Sequence, residues 1–272
     1  MTTKLSAPSL SSRSATRVSG TFTRLTSGSQ SLERGMQILR SYRSGVDLLT
    51  NADLADRSGL PRPTVSRLTR SLVEQGFLDY DIPSKGYRLS PVFLSLAYVF
   101  RQAEDTEETV YPLMRELAES EGVNVGLALP NQLEMVYVES LRESRRGVFR
   151  RAASGSRFPM ESTSGGRAYL AALGREQRDA ILKRIKEKHG KGWAAIQREI
   201  EESVVRIAKE GYCVAHWQPG MTAVGTPLVK QDGRIYSLTI SFHTPDSLAD
   251  SIHRYGQLLL GLKQDIRDIW QG

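Results

Sequence analysis

The sequence predicts an α+β protein: an N-terminal winged helix-turn-helix, a linker helix, and a C-terminal domain with an antiparallel sheet flanked by helices. Three observations predict it. Residues 51–76, NADLADRSGLPRPTVSRLTRSLVEQG, read as two short helices joined by a tight turn. Residues 77–81 and 87–89 are strand-like runs around Pro83-Ser84-Lys85-Gly86, a turn sequence, so a hairpin follows the helix pair. Beyond residue 105, strands and helices mix without a steady βαβ alternation, which favours an antiparallel sheet over a doubly wound one.

Residues 1–30 are rich in Ser and Thr, poor in large apolar residues, and carry Lys4, Arg13, Arg17 and Arg24 with no acid. Such a stretch cannot bury enough surface to fold alone, so a disordered basic arm is expected. It is either a tail without a role or an arm that tracks DNA phosphates. Ser31 is the expected N-cap of the first helix, with Leu32, Met36, Ile38 and Leu39 as its apolar face. Leu48 and Leu49 lead into the second helix as a short strand or turn.

The second helix covers residues 51–58, with Asn51 as N-cap and Leu54 and Ala55 facing inward. Gly59 supplies the positive-φ position that a helix-ending turn needs, and Leu60 fills the angle between the helices. Pro61 and Pro63 lie in the opening turn of the third helix, where a missing N–H costs least. Val65, Leu68, Leu72 and Val73 follow a 3-4 spacing that buries one face, and the other carries Arg62, Thr64, Ser66, Arg67 and Arg70. Donors at the N-terminal end of a short, seated helix suit base edges and phosphates in a major groove. The candidate DNA-contact set is Arg62, Thr64, Val65, Ser66, Arg67 and Arg70, with Lys85 and Arg88 on the wing; the spacing also gives Val65 to the core. Arg67 and Thr64 are expected at base edges, and Ser66 and Arg70 near phosphates.

Residues 91–104 form a linker helix that is apolar over more than one face, through Val92, Leu94, Leu96, Val99 and Phe100. Such a helix is buried either within one chain or against a second subunit. In residues 105–272 the expected elements are a helix at 109–120, strands at 123–129 and 135–138, a further strand at 147–153, and a loop at 156–166 leading into a helix to 173. Charged amphipathic helices at 175–188 and 193–210, strands at 212–215, 223–229 and 235–242, and a closing helix at 248–270 follow.

Composition narrows the function. A chain of 272 residues with 39% apolar content has room for two cores, and no run approaches a membrane span. The N-terminus lacks an apolar signal core, and a single cysteine, Cys213, allows neither an internal disulfide nor a multi-cysteine metal site; a cytoplasmic protein is expected. The net charge of +7 is uneven: residues 31–90 carry nine basic and seven acidic groups, and the nearly neutral second half does not look like a DNA surface. His189, His216, His243 and His253 have no metal-ligand spacing, Ser164-Gly165-Gly166 is not a nucleophile elbow, and no phosphate loop is present. No cofactor, metal or enzymatic activity is expected.

The candidate small-molecule site joins the loop at 156–166 to the segment 216–224. Gly165 lets backbone approach a ligand, the helix N-terminus that follows suits an anion, and Ser162, Thr163 and Ser164 add hydroxyls. Met160 and Trp217 offer apolar walls, and Val224 closes the second segment. The same glycines would serve a plain turn equally well.

SLERGMQIL at residues 31–39, LADRSGLPRPTVSRLTRSLVEQGFL at 54–78 and YRLSP at 87–91 resemble the N-terminal domain of IclR-type transcriptional regulators. SRFPMESTSGGRAYLA at 156–171 resembles that family's Gly-Ser-x-x-Pro-apolar-His-x-Thr-x-x-Gly-Lys-Ala segment, and PGMTAVGTPLV at 219–229 its second Pro-Gly segment. The resemblance implies a double-stranded DNA operator as partner and a GAF-like effector domain that binds a small organic acid, aromatic or aliphatic. It also implies pairing through the DNA domains and linker helices into a homodimer or a dimer of dimers, and makes the loop region the effector pocket. Two departures stand out: Glu161 replaces the family's His, and Ala215-His216-Trp217 replaces an acidic pair. Glu161 would repel an acid unless it points away or pairs with Arg157 or Arg167. The reading is a ligand-responsive regulator of catabolic genes, repressor or activator. Its rivals are a constitutive oligomeric DNA-binding protein and an enzyme with an appended DNA domain.

Overall fold

The computed structural model describes residues 28–143, 153–243 and 247–271; the side chain of Trp217 also lies outside the described set. The strand expected at 147–153 therefore falls almost wholly outside it. The chain divides into two compact units, at the junction of Asp105 and Thr106.

In the first unit, α1 (Gln30–Arg40), α2 (Asn51–Ser58) and α3 (Arg62–Glu74) enclose one core with a small sheet of β1 (Leu49–Thr50), β2 (Leu78–Asp81) and β3 (Gly86–Leu89). Ile38, Leu49, Leu54, Val65 and Leu78 are almost fully buried there. The N-cap of α1 is Ser29, two residues earlier than expected; Gly35 and Ile38 are its buried residues, Leu39 is half-buried beside them, and Tyr42 joins the core just beyond the helix. Leu32 and Met36 stand outside that set, 60% and 46% exposed, so the expected apolar face divides between core and surface. Thr50 rather than Asn51 caps α2. Its hydroxyl accepts from Asp53 N–H, and the Asp53 carboxylate accepts from Thr50 N–H, a reciprocal capping box. Gly59 ends α2 at φ +69°, as a left-handed cap requires. The sheet order β1-β3-β2 makes β2 and β3 an antiparallel wing, with Asp81 opposite Gly86. Then α4 (Val92–Glu104) leaves Leu94, Leu96, Tyr98, Val99 and Phe100 exposed while Phe93 packs edge-on against Phe77.

The second unit is built on six antiparallel strands in the order β6-β5-β4-β9-β8-β7. These are β4 (Asn124–Asn131), β5 (Glu134–Arg142), β6 (Arg157–Pro159), β7 (Cys213–Gln218), β8 (Met221–Val229) and β9 (Ile235–His243). Strand β6 was expected as loop; three residues pairing with Glu134, Met135 and Val136 are too short to leave a period-2 signature. Helices α5 (Thr106–Thr109), α6 (Tyr111–Glu121), α7 (Ser164–Ala172), α8 (Arg175–His189), α9 (Trp193–Glu210) and α10 (Leu248–Gln271) flank the sheet.

The two faces of the sheet differ. Across β4, β9 and β8, Val125, Ile240 and Val224 lie side by side and join Leu127, Leu228, Tyr236 and Leu238 in a large apolar core with α6 and α10. One residue along, Gly126, Thr239 and Gly225 form the matching row on the opposite face, which meets α7. That row is small, so α7 approaches closely: a Cβ on Gly225 would lie 2.6 Å from the carbonyl oxygen of Ser164. Among the described residues, no helix is long and apolar enough to cross a membrane.

Candidate functional site

The first site is the outward face of α3. Buried Val65, Leu68 and Thr69 seat the helix, and Thr69 donates to Val65 O at 3.0 Å. With that side fixed, Arg62, Ser66, Arg67 and Arg70 are exposed and Thr64 is half-buried. Positions 62, 66 and 70 follow one stripe of i, i+4 spacing, with Arg67 beside it. No ion pair is recorded for Arg62, Arg67 or Arg70 among the described residues, so their charges are available to an anionic partner. Val65 is the exception within the expected set: at 0% exposure it belongs to the core and cannot reach DNA.

The wing presents its cations unequally. Lys85 sits exposed in the turn at φ +49°. Arg88 is held by Asp47 at 3.1 Å and lies 4.0 Å from Asp81, so a phosphate must compete for it. Tyr42 donates its hydroxyl to Tyr87 O at 2.9 Å, fastening the wing to the core; burial pushes the Tyr42 hydroxyl above its ordinary pKa, so it stays a donor.

The second site is the seam where the first turn of α7 meets the sheet. Thr163 is the N-cap: its hydroxyl accepts from Gly166 N–H at 3.3 Å and donates to Pro159 O at 2.6 Å, so its proton is already used by the chain. The N–H groups of Ser164 and Gly165, as the first two of the helix, have no partner within it. Gly165 lies over β9, where a Cβ would come 3.0 Å from both Ser237 Oγ and Thr239 Cγ2. Ser237 Oγ is fully buried and has no hydrogen-bond partner among the described residues. A buried hydroxyl without a partner costs free energy. Ser237 and Thr239 escaped the sequence reading, because their alternation with Tyr236, Leu238 and Ile240 marks a strand and says nothing about what covers the polar face.

The expected effector residues do not all meet there. Met160 is 0% exposed, packed with Phe158 and Leu170, and its backbone lies so close to Gly166 that a Cβ there would overlap it. Ser162 is half-buried, and Ser164 is buried with its carbonyl accepting from Cys213 Sγ at 3.3 Å. Burial pushes the Cys213 thiol up to about 12, so it stays neutral. The expectation for Val224 is corrected: its side chain packs in the α6–α10 core, on the face opposite α7, because neighbouring Gly225 is the residue that faces α7. The side chain of Trp217 falls outside the described residues.

Glu161 finds other partners than those expected. Its Oε1 accepts from Lys188 at 3.0 Å and contacts His189 Nε2 at 2.7 Å, both at the C-terminal end of α8. Arg157 pairs instead with Glu134, and Arg167 donates to Glu161 O at 2.9 Å and pairs with Glu199 of α9. Burial pushes the Glu161 carboxyl up; its backbone hydrogen bond, His189 and Lys188 together outweigh this and hold it below the ordinary value. Only Oε1 is engaged in this way; Oε2 is buried without a hydrogen-bond partner among the described residues.

A winged helix-turn-helix joined to a domain of antiparallel sheet and flanking helices defines a two-part DNA-binding regulator. Residues 31–81 match the IclR helix-turn-helix domain, and residues 102–267 match the bacterial transcriptional regulator IclR C-terminal domain. The chain belongs to the IclR family of transcriptional regulators. It is 27% identical over 196 residues to the regulator TsaQ1/TsaQ2 of Comamonas testosteroni, covering 72% of this chain and 70% of that one. Against the transcriptional repressor IclR of Escherichia coli it is 27% identical over 188 residues, covering 67% and 68%. An IclR family regulator from Brucella abortus superposes with a TM-score of 0.78 at 28% identity, covering 88% of this chain and 91% of that one. An IclR homologue from Microbacterium hydrocarbonoxydans, solved with 4-hydroxybenzoate, shares the fold with a TM-score of 0.69 at 20% identity, covering 89% and 99%.

Proposed function

We propose that the chain is a cytoplasmic, ligand-responsive regulator rather than an enzyme. It binds an operator through α3 and the wing as a homodimer or a dimer of dimers, and controls genes for the catabolism of its effector. Arg67 and Thr64 read base edges, Arg62, Ser66, Arg70 and Lys85 hold phosphates, and Arg88 joins them when released from Asp47. The observation that carries the DNA contacts is the exposed cationic stripe, without an ion pair among the described residues, on a helix whose opposite side is seated in the core. The exposed apolar face of α4, with Leu94 76% and Val99 65% accessible, is the pairing surface; two half-sites give the contacts that one winged helix lacks.

The effector is a small organic acid bound at the seam. The first N–H groups of α7 take its carboxylate, and Ser237 Oγ takes a second polar atom. The 4-hydroxybenzoate of the Microbacterium homologue is an acid of this kind, with a carboxylate at one end and a hydroxyl at the other. Ser162 and Met160 border the site. The ligand shifts operator affinity by favouring one arrangement of the paired DNA units.

The test combines a footprint on the DNA flanking the protein's own gene with melting curves against a panel of aliphatic and aromatic acids. A two-fold symmetric footprint and at least one stabilising acid support the reading. A protein that protects no DNA there, or that responds to no acid while binding DNA fully, contradicts it.

A further inference from the structure

Among the described residues the most exposed large apolar side chain is Ile82, 77% accessible, in the turn of the wing. Exposed Pro83 follows it. We propose that Ile82 and Pro83 are an apolar wedge that enters the minor groove of the operator and opens a base step. This rests on the reading of the first unit as the DNA-binding one.

The tip is held rigidly in a form that presents the pair. Asp81 Oδ2 accepts from Ser84 N–H at 2.9 Å, closing the turn, and Lys85 takes the left-handed conformation that returns the chain to β3. Behind the tip, the Tyr80 and Tyr87 rings meet at a tilt of 50° with centroids 5.1 Å apart, and Arg88 ties β3 to Asp47. A turn fixed this way loses little conformational freedom on binding.

The charges favour a groove over the backbone. The Arg88 guanidinium already has its carboxylates, and Lys85 is the one cation at the tip without a recorded ion pair among the described residues. A wing that worked by phosphate contact alone would carry more free cations and fewer apolar atoms. Aliphatic and proline side chains inserted between base steps are the known means by which proteins unstack and kink a duplex from its minor groove. A protein partner fits less well. Two residues on a four-residue turn offer far less than the roughly 800 Å² per side of a specific interface, whereas the exposed residues of α4 form a continuous helical face.

The experiment uses a duplex selected by the wild-type protein from a random-sequence pool. Affinity, salt dependence and the end-to-end distance of the labelled duplex are measured for wild type, Ile82→Ser, Ile82→Leu and Arg67→Ala. Ile82→Ser is expected to bind about ten-fold more weakly, relax a bend in the range of roughly 20–90°, and leave the salt slope unchanged. Ile82→Leu should restore both affinity and bend, and a minor-groove ligand such as netropsin should compete with wild type. Wild-type affinity and bend in Ile82→Ser, or a loss accompanied by a change in oligomeric mass, overturns the wedge. Arg67→Ala separates the two levels: if it too binds like wild type, the DNA-reading face itself is misplaced.

Discussion

The outward face of α3 and the seam beneath α7 present polar groups in opposite ways. On α3, Arg62, Arg67 and Arg70 extend into solvent from a helix whose core side is complete without them. At the seam, Gly165, Gly225, Ser237 and Thr239 are buried, and their small size is what lets helix and sheet touch. One surface can change its chemistry at almost no cost in stability, whereas in the other, on the proposed reading, packing and recognition share the same atoms. Substitutions should therefore separate cleanly on α3 and entangle at the seam.

The largest effect is expected at Gly225. A Cβ there meets Ser164 backbone at 2.6 Å, which cannot swing aside, so Gly225→Val should destabilise the second unit by about 3 kcal/mol or more. At Gly165 the obstructing atoms belong to side chains, at 3.0 Å, and Gly165→Ala should cost clearly less. Calorimetry of both variants checks this, and equal melting temperatures would mean that α7 does not press on the sheet as described.

Next come Arg67 and Val65, two residues apart on α3. Arg67→Ala should lose about 1–3 kcal/mol of operator binding and relax base preference, with melting unchanged. Val65→Ala should do the reverse, lowering stability by about 2 kcal/mol through the cavity it leaves, with no change in sequence preference while folded. A selection experiment on each variant reads preference, and altered preference in Val65→Ala would place that side chain outside the core.

Glu161 gives a pH-dependent effect. Its carboxyl is held below the ordinary value in the folded chain, so its contribution is present above the unfolded value and lost as pH falls through the folded one. Glu161→Gln should lower the urea midpoint at pH 7, and the gap should close only as pH falls below the ordinary carboxylate range. A gap that persists in acid would show that charge is not what links the loop to α8.

The smallest effect belongs to the wing. Lys85→Ala should reduce the salt slope of binding by about 0.9, and Arg88→Ala by less, since Asp47 already neutralises it. Equal slopes for wild type and Lys85→Ala would remove the wing from the phosphate contacts.

The contrast also explains what could be read from the sequence. The helix pair was legible because its signals are local: Gly59, the prolines at 61 and 63, and the spacing of Val65 and Leu68 each restrict backbone within a few residues. Val65 falls in the expected contact set although its own spacing gives it to the core, and the structure buries it. The seam was half legible. The loop and the start of α7 are one contiguous motif, but Ser237 and Thr239 lie about seventy residues away and meet Gly165 only through sheet register. Val224 was misplaced for the same reason, since adjacent strand residues face opposite sides and nothing local says which side α7 covers. Lys188 and His189 reach Glu161 from the end of α8, a contact that no spacing announces.

The most direct test is an operator titration of Ser237→Ala and Arg67→Ala, with and without the acid that stabilises wild type. Removing a buried hydroxyl that has no partner among the described residues should leave the fold as stable as before or more so. Ser237→Ala should therefore bind operator like wild type without ligand, and lose a response of typically five-fold to a hundred-fold. Arg67→Ala should bind operator weakly while still being stabilised by the acid. A Ser237→Ala protein that responds at the wild-type concentration, or an Arg67→Ala protein that no longer binds the acid, would contradict the assignment of reading to α3 and sensing to the seam.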